Sequence, residues 1–512
     1  MRTRSSLLPA CLPFLALAAL VACSDDLSPV GPPPPADDNP VATTITVAID
    51  TIDYGSTATP SIVVNDQNGQ PMSDSVNEHL TIESSDTTVA RVDMDAMTIV
   101  GAGPGVATIT VSYDSIETEA AVAVRLGFAA APKIAAGSHH SCVLDTAGIA
   151  RCWGDGDEGM LGDGNEEASG TPVFVAGGHV FSSIVAGNDH TCAIDADGAA
   201  WCWGDSGAGQ IGDGDDEAGQ VDEPGAVAGG LQFVLLTAGD DHTCGLVADG
   251  TAYCWGKNGY GQLGIDDSGD EYYTPQQVAG GIRFVRISAA GHRTCALDVL
   301  GRAYCWGSGE YGALGTGDSD DQRAPAPAAE GKFFVDITGG ELHTCALDSQ
   351  GRAFCWGNNE DGEGGNGLPS EQENSPVQVQ LNAHLTSIFH GQGGHLCAVD
   401  GTTTALYCWG QNGNGQLGDE TTTDAHVPVL THNLHAREAS AGANHTCAIN
   451  VNDEVFCWGA NEDGEVGNGL TGGDDVLVPT FVVAPDPVPP ACMTLPRAAT
   501  SRGCLIRGVG VR

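Results

Sequence analysis

The stretch Gly340-Glu341-Leu342-His343-Thr344-Cys345-Ala346-Leu347-Asp348-Ser349-Gln350-Gly351-Arg352-Ala353-Phe354-Cys355-Trp356-Gly357 occurs, with variations, seven times in this chain of 512 residues. The first cysteines of the copies are spaced by 50, 52, 51, 50, 52 and 50 residues and lie at Cys142, Cys192, Cys244, Cys295, Cys345, Cys397 and Cys447. A period of this size is typical of repeat architectures, in which each copy is one supersecondary unit that buries its faces against its neighbours. The repetition therefore predicts the architecture far more directly than it predicts chemistry.

Each copy reads as two apolar strands joined by a tight turn. With Gly351 in the left-handed position of a three-residue loop, Asp348 pairs with Arg352. Counting outward places Cys345 opposite Cys355 in a non-hydrogen-bonded pair, which is close enough for a disulfide. The same frame predicts seven disulfides: Cys142–Cys152, Cys192–Cys202, Cys244–Cys254, Cys295–Cys305, Cys345–Cys355, Cys397–Cys408 and Cys447–Cys457.

Cys397–Cys408 has one extra loop residue, so its geometry is less determined than that of the other six pairs. Metal thiolates are the rival interpretation, but such sites favour CxxC spacing, which these cysteines lack. Alternation puts His343, Cys345 and Leu347 on one face of the strand and small residues on the other. Both faces are therefore suited to burial, as in propeller blades stacked face to face.

The units His-Thr-Cys-Ala-Leu, Gly-x-Ala-x-Cys-Trp-Gly and Gly-Gln-Leu-Gly resemble the repeat of the regulator of chromosome condensation family. Gly261-Gln262-Leu263-Gly264 and Gly415-Gln416-Leu417-Gly418 carry the last unit intact, and the resemblance covers about residues 126 to 484. It implies an all-β, seven-bladed β-propeller of four-stranded blades. In such rings the terminal strands usually complete a shared blade, for which Ala129–Ala135 and Val478–Val483 are the candidates. The family's exchange-factor and chromatin roles transfer poorly to this chain.

The N-terminus indicates export and lipidation. A basic start at Arg2 and Arg4 and an apolar run from Leu7 to Leu20 precede Cys23, which resembles the end of a bacterial lipoprotein signal peptide. We expect a signal peptide over 1–22, lipidation of Cys23 and a Pro/Asp-rich tether over 23–40. Ser24 resembles the outer-membrane sorting pattern, so the expected location is the bacterial envelope, at the outer membrane or cell surface.

Residues 41–125 read as short alternating strands and resemble a bacterial Ig-like domain of the invasin/intimin type, through Ser84-Ser85-Asp86 and Gly105-Val106-Ala107-Thr108-Ile109-Thr110-Val111. The resemblance implies a β-sandwich spacer ahead of the propeller, which takes residues 126–485. The tail, 486–512, has Cys492 and Cys504 and four arginines with no acid, and matches no repeat.

The formal net charge is −48, from 19 basic and 67 acidic residues. A polyanionic surface repels phosphates, so nucleic acid is excluded as a partner. Acidic loops leave weak Ca²⁺ binding open, although none has an EF-hand frame. No other cofactor and no metal site are expected, and we expect a monomer that contacts the membrane through its lipid anchor alone.

Several local motifs are discounted because the repeats explain them. Gly154-Asp155-Gly156-Asp157-Glu158-Gly159 matches a dinucleotide fingerprint, but no helix pattern follows it. Gly204-Asp205-Ser206-Gly207 imitates a serine-protease signature in a turn position. A histidine two residues before the first cysteine recurs in six copies; a metal-binding ring is the alternative to a structural role. The least repeat-like loop aromatics, and thus the candidate partner contacts, are Tyr272, Tyr273, Tyr260 and Tyr311.

We therefore expect a surface-anchored binding protein that presents a disulfide-stapled propeller to a protein or glycan. The first alternative is an enzyme, a lyase or hydrolase using the central pocket, for which the sequence shows no convergent, non-repeated polar cluster. A structural envelope protein is the second, and guanine-nucleotide exchange is disfavoured by the export signal. Non-repeated residues gathered on one face of the ring would favour binding.

Overall fold

The structure is a computed structural model that describes residues 42–125, with gaps at 50–51, 54, 73–78 and 104, and residues 133–483, with gaps at 218 and 369. The signal peptide, the tether with Cys23, and the tail thus lie outside the described residues. The described chain is made of β-strands, turns and four one-turn 3₁₀ segments, Asp157–Gly159, Ala176–Gly178, Ala279–Gly281 and Glu310–Gly312. In this part of the chain, no helix is long and apolar enough to cross a membrane.

The N-terminal module contains nine described strands around one apolar core that includes Ile82, Ile109 and Val124. They pair as β2-β9-β8-β5, β3-β7-β6 and β1-β4. Their bounds are β1 (Ala42–Ala48), β2 (Ile52–Asp53), β3 (Thr57–Ala58), β4 (Ser61–Asp66), β5 (Leu80–Ser84), β6 (Ala90–Asp93), β7 (Thr98–Gly101), β8 (Gly105–Tyr113) and β9 (Ile116–Arg125). The predicted period-2 segments are strands, whereas the Ig-like assignment stays a prediction.

The seven repeats form seven four-stranded antiparallel blades, whose strands we letter a to d in chain order. Blades one to three contain β10 (Ile134–Ala136), β11 (His140–Leu144), β12 (Ala150–Gly154), β13 (Ser169–Phe174), β14 (Phe181–Ala186), β15 (His190–Asp195), β16 (Ala200–Asp205), β17 (Gln220–Ala226), β18 (Phe233–Ala238), β19 (His242–Val247), β20 (Ala252–Lys257) and β21 (Glu271–Gln277). Blades four and five contain β22 (Phe284–Ala290), β23 (Arg293–Asp298), β24 (Ala303–Gly307), β25 (Gln322–Ala328), β26 (Asp336–Gly339), β27 (His343–Leu347), β28 (Ala353–Asn358) and β29 (Gln372–Gln378).

Blades six and seven are joined by one continuous strand of 17 residues, β33 (Ala425–Ala441), which is strand d of blade six and strand a of blade seven. The other strands of this pair of blades are β30 (Leu385–His390), β31 (His395–Asp400), β32 (Ala405–Gly410), β34 (His445–Asn450), β35 (Val455–Gly459) and β36 (Val476–Phe481). The all-β propeller expected from the repeats is therefore confirmed.

The hairpin register agrees with the prediction in every blade. In blade five, Cys345 lies opposite Cys355, Leu347 opposite Ala353, and the Asp348 amide donates to the Arg352 carbonyl at 3.0 Å. Gly351 adopts φ 72°, the left-handed conformation the turn requires. All seven disulfides are present, with Cα atoms 4.1 Å apart, including Cys397–Cys408 with its longer loop.

The expected shared blade is wrong. The inner strand of blade one is β10 and its outer strand is β13, so this blade is built from one uninterrupted stretch. The strand near Val478 is the outer strand of blade seven instead of completing blade one. The chain ends therefore close the ring without exchanging a strand, and the closure has to come from contacts between complete blades.

A tryptophan in strand c and the Gly-Gln-Leu-Gly loop of the preceding blade form each inter-blade contact. The seven tryptophans at this position are fully buried, at 0–1% exposure, whereas the eighth tryptophan of the chain, Trp201, is partly buried. Gly264 of blade three shows why glycine is required: it has φ +67°, and a Cβ there would lie 2.6 Å from the Trp306 Nε1 atom of blade four. Six indole N–H groups donate to a carbonyl of the preceding loop: Trp153 to Glu465, Trp203 to Met160, Trp255 to Gln210, Trp356 to Ala313, Trp409 to Glu363 and Trp458 to Gln416.

Candidate functional site

Antiparallel pairing decides which loops share a face of the ring. Strands a and c run in the same direction, so the a–b turns and the c–d loops lie together at one face, which we call the loop face. Hydrogen bonds join them directly: the Asp205 amide, at the start of a c–d loop, donates to the Asp189 carbonyl in an a–b turn at 2.8 Å. The b–c hairpins lie at the opposite face.

Strand a of every blade lines a central cavity of about 460 Å³. Blade six has one extra residue in its a–b turn, and this turn carries Gln392. The Gln392 amide donates to the Ala238 carbonyl of blade three at 2.9 Å, and its oxygen accepts from the Gly291 amide of blade four at 3.5 Å. Since Gln392 is 5% exposed, this side chain crosses the cavity where it meets the loop face.

The recurring histidines form a buried belt around this end of the cavity. The Thr243 hydroxyl donates to the Gln210 carbonyl at 2.9 Å, so it must accept from His190 Nε2, also 2.9 Å away. His190 thus carries its proton on Nε2. The same arrangement holds for His140 with Thr191, His242 with Thr294, His395 with Thr446 and His445 with Ser141.

These contacts favour the structural interpretation of the histidines over a metal-binding ring. Burial lowers the pKa of His140 and His242 to about 3 and that of His190 and His445 to about 4. The rings are therefore neutral at physiological pH and each ties one blade to the next. Blade six has Leu396 at the threonine position, and there His343 Nε2 lies 3.0 Å from His390 Nε2 instead.

Arg293 replaces the histidine in blade four. Its guanidinium donates to three backbone carbonyls of blade five, those of Glu341, Gly340 and His343, and it is 2% exposed. Burial lowers the pKa of Arg293 to about 10, which leaves it charged. Arg293 therefore places a buried positive charge next to Asp240 and Glu341 in the a–b turns of the loop face.

Residue identity varies from blade to blade on the loop face. In five blades, an amide donates to the Gln or Glu side chain two residues later: Ala208, Tyr260, Asp361, Asn414 and Asp463. Two residues form each inter-blade slot. One is the c–d loop residue at this position, and the other is the residue that directly precedes the belt histidine, or Arg293, of the next blade. The same hydrogen bond recurs in these five blades, whereas Glu158 and Tyr311, at this position of blades one and four, have φ 56°. The slots pair Ala208 with Asp241, Tyr260 with His292, Tyr311 with Leu342, Asn414 with Asn444, and Asp463 with His139.

The slot between blades three and four is the most distinctive of these. Tyr260 is 42% exposed and stacks on His292, with ring centroids 5.1 Å apart and planes 10° apart. His292 Nδ1 lies 3.6 Å from Asp240 Oδ2, and Lys257 Nζ lies 2.7 Å from Asp241 Oδ2. An exposed aromatic ring therefore stands beside a group of charged side chains at the end of the cavity.

Acidic turns surround the same end of the cavity. Burial, with the neighbouring Asp241 and Glu341, raises the pKa of Asp240 to about 7. Burial also raises the pKa of Asp189. Both pKa shifts reflect carboxyl groups that lie close together in a poorly solvated environment. A cationic partner would stabilise the ionised form of these carboxyl groups.

The other candidate tyrosines lie apart from this slot. Tyr272 and Tyr273 belong to β21, the outer strand of blade three, and the Tyr273 hydroxyl donates to Glu271 at 2.9 Å. Gly209 of blade two packs on the Tyr273 Cα and ring, where a Cβ would come within 3.0 Å. Tyr311 lies in the slot between blades four and five. The structure thus places Tyr260 and Tyr311 on the loop face, and Tyr272 and Tyr273 at the outer rim.

The acidic loops use many carboxylates to hold their own turns. Asp155 accepts from the Asp157 amide at 3.0 Å, Asp163 from Asn165 at 3.0 Å, and Asp213 from Asp215 at 3.0 Å. Within the described ranges, one group of three His, Asp or Glu side chains has the spacing of metal ligands, His139 with Asp463 and Glu465. The spacing of the repeats did not single out this group.

The central cavity contains non-repeated charged residues that the sequence did not reveal as a cluster. Arg286 Nε lies 3.7 Å from Asp336 Oδ1, and burial raises the pKa of Asp336 to about 6. Glu438 of blade seven accepts the Lys133 amide and, at 3.3 Å, the Ile134 amide of blade one. Three side-chain hydroxyls each accept a backbone amide of the next blade in the same way, those of Ser440, Ser288 and Thr237. These side chains cap the free edges of the inner strands.

Comparison with known proteins gives a consistent result. A model of the RCC1-like domain matches residues 112–398, and models of the regulator of chromosome condensation repeat match residues 405–449 and 437–465. The ultraviolet-B receptor UVR8 of Arabidopsis thaliana is 32% identical over 194 residues, which are 37% of this chain and 44% of the receptor. The probable E3 ubiquitin-protein ligase HERC4 of Rattus norvegicus is 32% identical over 94 residues, 18% of this chain and 9% of the ligase.

The matched segments thus span less than half of these relatives. Among solved structures, Prp20p of Saccharomyces cerevisiae superimposes with a TM-score of 0.59 and 24% identity, over 67% of this chain and 87% of Prp20p. Human WBSCR16 has a TM-score of 0.57 and 17% identity, over 72% of this chain and 99% of that protein. At these identities the structural likeness shows the fold alone.

Proposed function

Because the chain belongs to the RCC1-like domain family of repeat propellers, with a scaffold suited to binding, we propose that it is an exported, lipid-anchored protein that binds a partner protein through its loop face. The repeats build a ring in which histidines, tryptophans and disulfides are committed to holding the blades together. The loop-face slots are occupied by different residues from blade to blade. A constant scaffold with variable positions on one face is typical of an interaction platform.

The observation that carries the proposal is the Tyr260–His292 stack at the acidic end of the cavity. Tyrosine gives a large, rigid contact area, and its 42% exposure leaves the ring accessible. Asp240, Asp241 and Glu341 lie around the same cavity mouth, so a partner with basic side chains is favoured over an acidic one. A glycan is the second ligand class, for which an exposed aromatic ring would also serve.

The anchoring part of the proposal rests on the sequence. Cys23 at the end of the signal peptide would carry the lipid, and the 23–40 tether and the N-terminal module would hold the propeller away from the membrane. We expect Cys23→Ser to release the protein from the membrane fraction and to abolish incorporation of labelled palmitate. Retention of the label would exclude this anchor.

We propose binding without catalysis, since the charged groups of the central cavity are used to cap strand edges and pair with each other. Tyr260→Ala in the full chain tests the loop-face surface. Asn414→Ala is the matched control, because Asn414 occupies the equivalent slot between blades six and seven and its amide makes the same hydrogen bond.

Fractionated envelope proteins and a glycan array are the probes, each tested for saturable binding at low and high salt. We expect a protein ligand whose affinity falls at least tenfold in Tyr260→Ala, stays unchanged in Asn414→Ala, and weakens as salt rises. Equal binding by the wild type and Tyr260→Ala would reject the slot as the contact. Binding confined to the glycan array would replace the protein partner with a carbohydrate.

A further inference from the structure

The seam between blades seven and one brings three potential metal ligands together. His139 belongs to the a–b turn of blade one, and Asp463 and Glu465 to the c–d loop of blade seven. One ligand atom from each lies within 4.8 Å of the others. The His139 ring is exposed to solvent and the Glu465 carboxylate is buried, so the group forms a pocket open on one side.

Glu465 puts a carboxylate where other blades have a neutral amide. Gln210, Gln262 and Gln416 hold this position in blades two, three and six, and like Glu465 they accept the amide two residues earlier. The Glu465 side chain is 2% exposed. A buried carboxylate costs free energy unless a cation accompanies it. Blade five has the same replacement, Glu363, but Gly394 faces it, so the blade-seven slot differs by combining the buried glutamate with an imidazole, that of His139.

The ion pair between this carboxylate and His139 is a loose one. Oε2 accepts the Asp463 amide at 3.0 Å, whereas Oε1 faces His139 Nδ1 at 3.9 Å, beyond hydrogen-bond distance. A gap of this size between an imidazole nitrogen and a carboxylate oxygen is close to the spacing of two ligands on one metal ion, about 3.4 Å for tetrahedral Zn²⁺. Asp463 supplies the third ligand, and Asp155 and Asp189 add negative potential nearby.

The ligands are held by rigid neighbours. Trp153 and Ser141 of blade one both donate to the Glu465 carbonyl, at 2.7 and 3.1 Å, and the Asp155 amide donates to the His139 carbonyl at 2.9 Å. Ser141 and Trp153 flank Cys142 and Cys152, which form a disulfide. A site supported in this way needs a small contraction to close around an ion.

We propose that His139, Asp463 and Glu465 bind a divalent transition metal of the Zn²⁺ class at the seam of the ring. One imidazole and two carboxylates suit Zn²⁺, with open positions filled by water, whereas Ca²⁺ prefers an all-oxygen set. The ion would join blade one to blade seven and so link the two ends of the propeller. This site is independent of the Tyr260 surface.

Blade five supplies a matched control within the same chain. Asp361 and Glu363 repeat the Asp463–Glu465 pair, and the Asp361 amide donates to Glu363 at 3.0 Å. The residue facing them in blade six is Gly394 instead of histidine, and Asn358 donates to Glu363 Oε1 at 2.8 Å. This slot has the same carboxylates without the imidazole, so it should not bind Zn²⁺ with comparable affinity.

The test is calorimetric titration of Zn²⁺ and of Ca²⁺ into the full chain, after free thiols have been alkylated, for the wild type, His139→Asn, Glu465→Gln and Glu363→Gln. Glu465→Gln restores the residue of three other blades, which protects the fold. We expect about one Zn²⁺ per chain, a loss of affinity of about tenfold or more in His139→Asn and Glu465→Gln, and no change in Glu363→Gln.

A rise in the thermal midpoint on adding Zn²⁺ should accompany binding and disappear in the same two variants. Zn²⁺ affinity that is unchanged in both seam variants would overturn the proposal. So would a cation bound equally well in His139→Asn but lost in Glu465→Gln, since the imidazole would then be no ligand.

Discussion

The indole N–H of Trp153 in blade one donates to the Glu465 carbonyl in blade seven at 2.7 Å, across 312 residues of sequence. Every other tryptophan–carbonyl bond of this kind joins blades that follow each other in the chain. Since the two ends exchange no strand, this bond, the Ser141 hydroxyl on the same carbonyl and the Glu438 caps contribute to the closure. Backbone bonds between the two blades complete the seam, such as that from the Gly469 amide to the Gly170 carbonyl at 2.8 Å.

Trp153→Phe should weaken the seam more than the same change weakens any other blade contact. Loss of the indole N–H removes one hydrogen bond to a buried carbonyl, worth about 1 kcal/mol of unfolding free energy. Trp255→Phe is the matched variant inside the ring. Hydrogen exchange should show faster opening of blades one and seven in Trp153→Phe, and equal exchange patterns in the two variants would contradict a distinct seam.

Removing the blade-five disulfide by the double change Cys345→Ser, Cys355→Ser should lower the unfolding free energy by at most about 2–3 kcal/mol. The bridge closes a short loop, with a sequence separation of 10, and so restricts the unfolded chain modestly. The measurement is the midpoint of chemical denaturation under oxidising conditions. An unchanged midpoint would show that the bridge contributes no stability, and the wild type in reducing agent is the comparison.

Stability should fall as the pH drops from about 6.5 towards 4. Burial lowers the pKa of the belt histidines to about 3 or 4, so the unfolded chain binds protons in this window and the folded chain does not. Each such histidine contributes on the order of 1.4 kcal/mol per pH unit within the window. Unfolding free energies measured at pH 5 and pH 7 check the direction.

Buried carboxyls with raised pKa values act in the opposite sense. The pKa values of Asp240 and Glu363 are raised to about 7 and that of Asp336 to about 6, so their contribution to stability is present at low pH and is lost as the pH rises through these values. These three large upward shifts are fewer than the large downward shifts of five belt histidines, so the net slope should remain positive between pH 4 and 6.5. A protein equally stable at pH 5 and pH 7 would show that the histidine belt is not buried and neutral.

Glu438→Ala should destabilise the ring by about 1–3 kcal/mol, because the Lys133 and Ile134 amides lose their acceptor. Glu438→Gln retains an acceptor oxygen of similar shape and should cost clearly less. Urea denaturation of the two variants compares them directly. Equal stability of the alanine and glutamine variants would mean that the strand edge is satisfied by other groups, such as water.

The local structure was predictable because the same sequence pattern occurs seven times in the chain. The turn at Gly351, the pairing of Cys345 with Cys355 and the burial of both strand faces follow from spacing and alternation within about eighteen residues. The neutral histidines could also be anticipated, since a titratable group repeated in six of the seven blades suits the scaffold better than a single site.

The contacts across the ring could not be predicted from spacing. Gln392 reaches Ala238 over 154 residues, and Glu438 reaches Lys133 over 305. No period links such residues, and the packing of whole blades decides their distances. The prediction of a shared blade at the termini was wrong for the same reason. The sequence pattern indicates the hairpins clearly, but it says little about which blade the first and last strands of the propeller join.

Blades one to five each take their four strands from one uninterrupted stretch of chain, and six of the seven inter-blade tryptophans donate to a carbonyl of the preceding blade. Duplicating or deleting one unit of about fifty residues therefore adds or removes a complete blade with its disulfide, and leaves the same kind of contact at both new neighbours. A ring of this design can change its number of blades by unequal recombination between neighbouring repeats. The continuous strand Ala425–Ala441 marks the one junction of the described ring where such an event would cut through a strand.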